Sequence, residues 1–158
     1  VPYRHSLSGI GYRVLSIELI EEKIAIPRRR VGAFVIDDLA VSFLFLAIFW
    51  SQISTLGSSV EAINSFLADK FIFIILIKIL YHTLFVWQNG MTLGKYFMKI
   101  RVVSIDSGQT PLLHMALLRA TLRIVSETFF YLGFLMAFFN PMVQTLHDKL
   151  SSCVVIDV

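Results

Sequence analysis

Long apolar runs alternate with short charged clusters along this 158-residue chain, and two of the runs have bilayer length. Residues 31–50, VGAFVIDDLAVSFLFLAIFW, are interrupted only by Asp37, Asp38 and Ser42. At 1.5 Å per residue a helix of that length reaches roughly 30 Å, the thickness of the hydrocarbon core. Residues 71–88, FIFIILIKILYHTLFVWQ, form a second run broken only by Lys78 and His82. Trp50 and Trp87 close the two runs, at the level where amphipathic rings meet lipid headgroups. The pattern predicts transmembrane helices over about 31–54 and 71–88, joined by a polar connection through Gly57, Ser58, Ser59, Glu61, Asn64 and Asp69.

A third apolar stretch, 112–139, has a different pattern: Arg119, Arg123 and Glu127 recur every fourth residue and stripe one helical face. Its first half, PLLHMALLRATLRIV, reads as an amphipathic helix lying at the interface. Its second half, TFFYLGFLMAFF, is apolar enough to enter the bilayer, and Gly133 can break it, so the segment either re-enters or spans. Two short β-branched runs, IRVVSID from Ile100 and CVVIDV from Cys153, stand next to turn residues. Either they pair as one small cytoplasmic sheet, with RVLSIEL from Arg13 as a third strand, or they are two unrelated tails. The fold class expected is an all-α membrane protein of two transmembrane helices, an interfacial helix and a third apolar segment, with that small β-sheet as its one strand element.

Composition agrees with lipid as the solvent. Hydrophobic residues make up 56% of the chain and charged ones 16%, more apolar than a soluble core of this size needs. The net charge of +3 is concentrated in Arg28, Arg29 and Arg30 before the first run and in Lys95, Lys99 and Arg101 after the second. Both clusters flank apolar segments, which points to anionic lipid headgroups, met first by Arg28 and Arg29, and away from nucleic acid. The loop between the runs sets Lys70 against Glu61 and Asp69, so the charge bias predicts a cytoplasmic N-terminus and an external loop. Residues 1–27 then form a cytoplasmic extension and 28–158 the membrane domain. Residues 1–27 hold no uninterrupted apolar stretch of signal-peptide type, so the first membrane helix is expected to act as its own targeting signal. Cys153 is the single cysteine, which excludes an internal disulfide and a multi-cysteine zinc site.

Charges inside hydrocarbon need a reason, since an Asp or Lys near a helix centre costs about 2.5 to 3.5 kcal/mol on insertion scales. Asp37 lies about 9 Å above Val31 along a straight helix, and His82 about 9 Å from Gln88 on the returning one. Asp37 or Asp38 is therefore expected to pair with His82 and Lys78, with Arg30 serving another carboxylate or a lipid phosphate. This cluster reads either as a proton or cation site or as ionic glue between helices. GMTLGK from Gly90 lacks the spacing and the hydroxyl residue of a phosphate loop, and it reads as a turn. His147 and Asp148 suggest capping more than metal binding, and His5 and His114 stand alone. No nucleophile has a recognisable base, so neither an enzyme, a cofactor nor a metal site is expected.

Three stretches, RRVGAFVIDD, GMTLGKYFMKIRVVSIDSGQTP and QTLHDKLSSCVVI, resemble the RDD family in order and spacing. The resemblance covers about residues 28–156 and brings Gly94, Lys95, Arg101, His147 and Asp148 into the family's motifs. It implies that the family's arginine falls on Arg30, with Arg29 as the register alternative, its first-helix aspartate on Asp37 and its late aspartate on Asp148. Asp38, Lys78 and His82 are not implied by it. The resemblance implies a small integral membrane protein, with transport of unidentified ligands or ions suggested. The function expected is that of a non-enzymatic subunit of the bacterial inner membrane, packing in a homo-oligomer or with a larger membrane partner. The alternative is a homo-oligomeric proton-coupled cation or small-ligand transporter.

Overall fold

The computed structural model describes residues 23–129, 135, 138–139 and 143–158. Helix α1, Pro27–Ile48, starts four residues before the apolar run because Pro27 occupies its first turn, where a missing N–H is harmless and φ is already helical. A short helix α2, Trp50–Ile53, follows after a break at Phe49. Helix α4, Phe71–Asn89, matches the second run and ends at Gly90, whose φ of 69° terminates it in the left-handed conformation. Both α1 and α4 are long and apolar enough to cross a membrane.

The connection between them is not merely polar. Ser59 caps a further helix, α3, Val60–Asp69, by accepting from the Ala62 N–H at 3.1 Å. Phe66 from α3 meets Phe45 and Phe49 at 6.3 and 6.2 Å between ring centroids, and Phe73 of α4 lies 5.9 Å from Phe49. Aromatic packing folds the connection onto the ends of the two long helices.

At the opposite end, a short helix α5, Leu93–Phe97, leads into strand β1, Ile100–Ser104. After helix α6, Leu113–Thr128, and a short helix α7, Leu146–Leu150, strand β2, Cys153–Asp157, returns antiparallel to β1, pairing Ile100 with Asp157 and Ser104 with Cys153. The two runs that the sequence left as strands or tails therefore form a sheet. Ile24 adds an isolated bridge to Ile156 on the other edge of β2. The third strand expected from Arg13 lies outside the described residues, as do the rest of 1–22 and most of 130–139, the end of the 112–139 stretch that was expected to re-enter or span.

Ile100, Val102, Cys153 and Val155 project from one face of the sheet onto Ala33 of α1, Val86 of α4 and Ala116 of α6, all buried. The sheet is thereby fastened to the start of α1 and the end of α4. Two further bonds tighten that seam: the Val102 N–H donates to the Gly90 carbonyl at 2.8 Å, and Arg101 Nε donates to the Asn89 carbonyl at 3.1 Å.

Helix α6 packs along α4 with its charged face inward. Arg119 and Arg123 are buried with Ala116 and Ala120, whereas Leu113, Leu117, Leu118 and Val125 are exposed. This corrects the expectation of a stripe turned to interfacial water. An amphipathic period identifies two faces but not the medium of each; where lipid surrounds a bundle, the apolar face belongs outside.

Candidate functional site

Asp37 sits three turns into α1 and is wholly buried. Its carboxylate accepts from Tyr81 Oη at 2.9 Å, Thr92 Oγ1 at 2.6 Å and the Gly94 N–H at 2.8 Å, while Lys95 Nζ stands 3.7 Å away. An ionised carboxylate is acceptor-only, and three donors with a nearby cation satisfy it without water. The close approach needs Gly94: a Cβ there would lie 2.1 Å from the Ala33 carbonyl oxygen. Thr92 holds its position by capping α5, accepting from the Lys95 N–H at 3.4 Å.

Asp148 is the second wholly buried carboxylate, in the first turn of α7. It receives Arg30 from α1 on one oxygen and Arg119 from α6 on the other. It also completes a capping box by accepting from the Thr145 N–H at 3.2 Å. Burial alone would push the Asp148 carboxyl up, but the Arg119 and Arg30 guanidiniums outweigh that and hold it well below the usual carboxylate range. His147, buried beside it, is driven well below its ordinary value, first by desolvation and then by the same arginines, and so stays neutral. Arg30 additionally donates to the Val143 carbonyl, so one side chain ties the start of α1 to two points near the C-terminus.

A third cluster joins α1, α4 and α6. Lys78 Nζ lies 2.9 Å from both Asp38 and Glu127, and Arg123 Nε donates to Glu127 at 3.0 Å. Arg123 Nη1 reaches His82 Nδ1 at 3.2 Å; since a guanidinium only donates, that nitrogen accepts. Arg123 also lies 4.9 Å over the Phe34 ring.

The expected pairing of Asp37 or Asp38 with His82 and Lys78 is met for Lys78 and needs correction for His82. Asp38 meets Lys78, but Asp37 turns toward Tyr81 and α5, and His82 contacts Arg123. Consecutive residues on a helix point about 100° apart, so Asp37 and Asp38 cannot serve one partner. Depth along the axis gave no direction around it. Sequence reasoning missed Tyr81 and Thr92 as the ligands of Asp37, though Tyr81 stands one turn from Lys78 and Thr92 has the form of a helix cap. It also missed that Arg119, Arg123 and Glu127 belong to the same network. Among the described residues no group of three or more His, Cys, Asp or Glu side chains gathers as a metal would require.

The pair Arg30–Asp148, with Asp37 one helix face away, brings together an arginine and two aspartates from opposite ends of the chain. The RDD family profile matches residues 24–152. The chain belongs to the RDD family. Comparison with curated proteins and with solved structures gives no match. Within this RDD membrane domain, Gly94, Lys95, Arg101, His147 and Asp148 all lie where the sheet and short helices meet the long ones. Arg28 is exposed, and Arg29 pairs with Asp157 at 3.1 Å on the surface.

A cavity of about 250 Å³ opens beside this network, with Arg30, Lys95, Arg119 and Arg123 in its wall. Lys95 is buried at its edge. Desolvation lowers its ammonium from the ordinary 10.5 to about 7, with Asp37 opposing the shift and Arg123 and Arg119 adding to it.

Proposed function

We propose that this RDD domain is a non-enzymatic subunit of the bacterial inner membrane that assembles with further copies of itself or with a larger membrane partner. The observation that carries this reading is Asp38. Its side chain is 46% exposed although it lies eleven residues into α1, about 16 Å along the helix from Pro27. Lys78 neutralises one side of it, and Val35 and Ser42 on neighbouring turns are exposed beside it. A carboxylate half open to acyl chains is costly, and a second helix laid over that face removes the cost. The basic residues at the start of α1 and after α4 support a cytoplasmic sheet end by the positive-inside rule.

Light scattering of the full chain in mild detergent tests this. The expected particle exceeds the 18.0 kDa of one chain, or carries a partner, and shrinks in Asp38→Leu. A lone monomer with no co-eluting partner overturns the proposal.

Proton-coupled cation transport is the second reading, favoured by one feature: Lys95 and Asp37 stand 3.7 Å apart at the edge of the cavity, with the lysine able to exchange a proton near neutral pH. In proteoliposomes it requires a cation-dependent pH change that disappears in Asp37→Asn. No such change in sealed vesicles removes this reading and leaves the first.

A further inference from the structure

The cavity has a composition that neither helix packing nor assembly explains. Four cationic side chains line it, and the carboxylates that balance them, Asp37, Glu127 and Asp148, are absent from its lining among the described residues. Asp148 is shared by Arg30 and Arg119, Glu127 by Arg123 and Lys78. The wall therefore presents positive charge inward with its counterions behind it. Among the described residues the Lys95 ammonium makes one hydrogen bond, to Thr92 Oγ1 at 3.3 Å, for three donors, with the Asp37 carboxylate 3.7 Å away.

Thr145 and His147 add two polar side chains to the lining, the rest of which is apolar, and Val31 and Phe34 of α1 provide its outer side. Val31 is 59% exposed, so the cavity reaches the outer surface of α1, where lipid would lie. Pro27, Arg30, Val31 and Phe34 all belong to the first two turns of that helix, at the end that carries the sheet. That is headgroup depth. At roughly 30 Å³ per water, the space takes about eight waters or one small anionic headgroup, but not a whole lipid.

We propose that this cavity binds the phosphate headgroup of an anionic membrane phospholipid, with the phosphate on Arg30, Lys95 and Arg119 and the first part of the acyl region leaving past Val31 and Phe34. Guanidinium and ammonium donors give charge-assisted hydrogen bonds to phosphate oxygens, and the largely buried position of these side chains strengthens them. Zwitterionic headgroups bring their own cation and are disfavoured against the same wall. The site is independent of whether the chain assembles, because its lining comes from one copy.

Native mass spectrometry of the delipidated full chain, with short-chain phosphatidylglycerol and phosphatidylcholine as probes, tests the proposal. One retained phosphatidylglycerol per chain is expected, with phosphatidylcholine retained about tenfold less. Val31→Trp, which fills the mouth, and Lys95→Gln, which removes the charge while keeping length, are each expected to lower retention about tenfold. Arg28→Gln, exposed and outside the cavity, leaves it unchanged. Equal loss in Arg28→Gln would mean adsorption to the basic surface and overturn the proposal. So would equal retention of both lipids, retention unaffected by Lys95→Gln, or no adduct at all. Full displacement by inorganic phosphate would identify a site for the free anion and overturn the lipid assignment.

Discussion

Arg30 in the first turn of α1 and Asp148 in the first turn of α7 are bonded across 118 residues of sequence. Arg119 holds the other oxygen of the same carboxylate, so three helices meet on one buried anion. Two of the three residues that characterise the family by resemblance thus form a single contact, and the third, Asp37, anchors α5 against α1 nearby. A lone buried charge costs several kcal/mol, whereas a carboxylate flanked by two guanidiniums and a cap is fully engaged. The arrangement fixes how the start of α1, the inward face of α6 and the C-terminal sheet sit together.

Acid should therefore weaken the fold through Asp148. Its folded pKa lies below the ordinary 3.8, so the folded state binds fewer protons than the unfolded one in that range. The stabilisation is complete above the ordinary value and is lost as pH falls below about 4 toward the depressed folded value. Thermal melts in detergent between about pH 2 and 5 should show this slope, reduced in Asp148→Asn, which is destabilised at every pH.

Lys95 acts in the opposite range. Its folded pKa of about 7 lies below the ordinary 10.5, so between the two the unfolded state binds more protons. Its contribution to stability rises with pH from about 7 to 10.5 and is unfavourable below. The groups that face it are Asp37 from α1, Arg119 and Arg123 from α6 and Asp148 from α7. Lys95→Met should remove this component of the rise in melting temperature across that window; an unaltered slope would count against the burial of its ammonium.

Gly94→Ala should separate α5 from α1. The added methyl would sit 2.1 Å from the Ala33 carbonyl oxygen and crowd the Asp37 carboxylate, so overpacking of about 1 to 3 kcal/mol or more is expected. Gly57→Ala in the connection meets nothing within 4 Å and should stay within about 0.5 kcal/mol of the parent. Comparable melting temperatures for the two variants would contradict the close approach.

Arg123→Leu tests which way α6 faces. Buried, Arg123 supports Glu127, His82 and the Phe34 ring, and its removal should cost about 3 to 5 kcal/mol. A stripe turned to water would tolerate the change within about 0.5 kcal/mol. Chemical denaturation in mixed micelles distinguishes the two.

Much of this was legible from residue order. The two long apolar helices follow from apolar length, and the sheet from β-branched runs beside turns. Arg30, Asp37 and Asp148 stood out through family spacing, and Lys78 as a partner of Asp37 or Asp38 through the cost of leaving charges in hydrocarbon. What spacing could not supply was direction around a helix axis. Asp37 and Asp38 are neighbours in sequence but serve different helices, and His82 lies at the depth of Asp37 yet faces Arg123. The inward turn of Arg119 and Arg123 depends on which medium surrounds α6, a property of the fold and not of the heptad-scale pattern. Helix α3 was hidden in a stretch rich in turn formers, where Ser59 supplies a cap and Phe66 an aromatic anchor to α1.

The account depends most on the bond between Arg30 and Asp148, and a double-mutant cycle measures it. Arg30→Met, Asp148→Asn and the combined variant would be compared by unfolding in mixed micelles. The predicted result is a coupling of about 1 to 3 kcal/mol, the double variant being less damaged than the two single losses added together. Losses that add within about 0.5 kcal/mol would mean that the two residues act independently, and would contradict a fold organised around their contact.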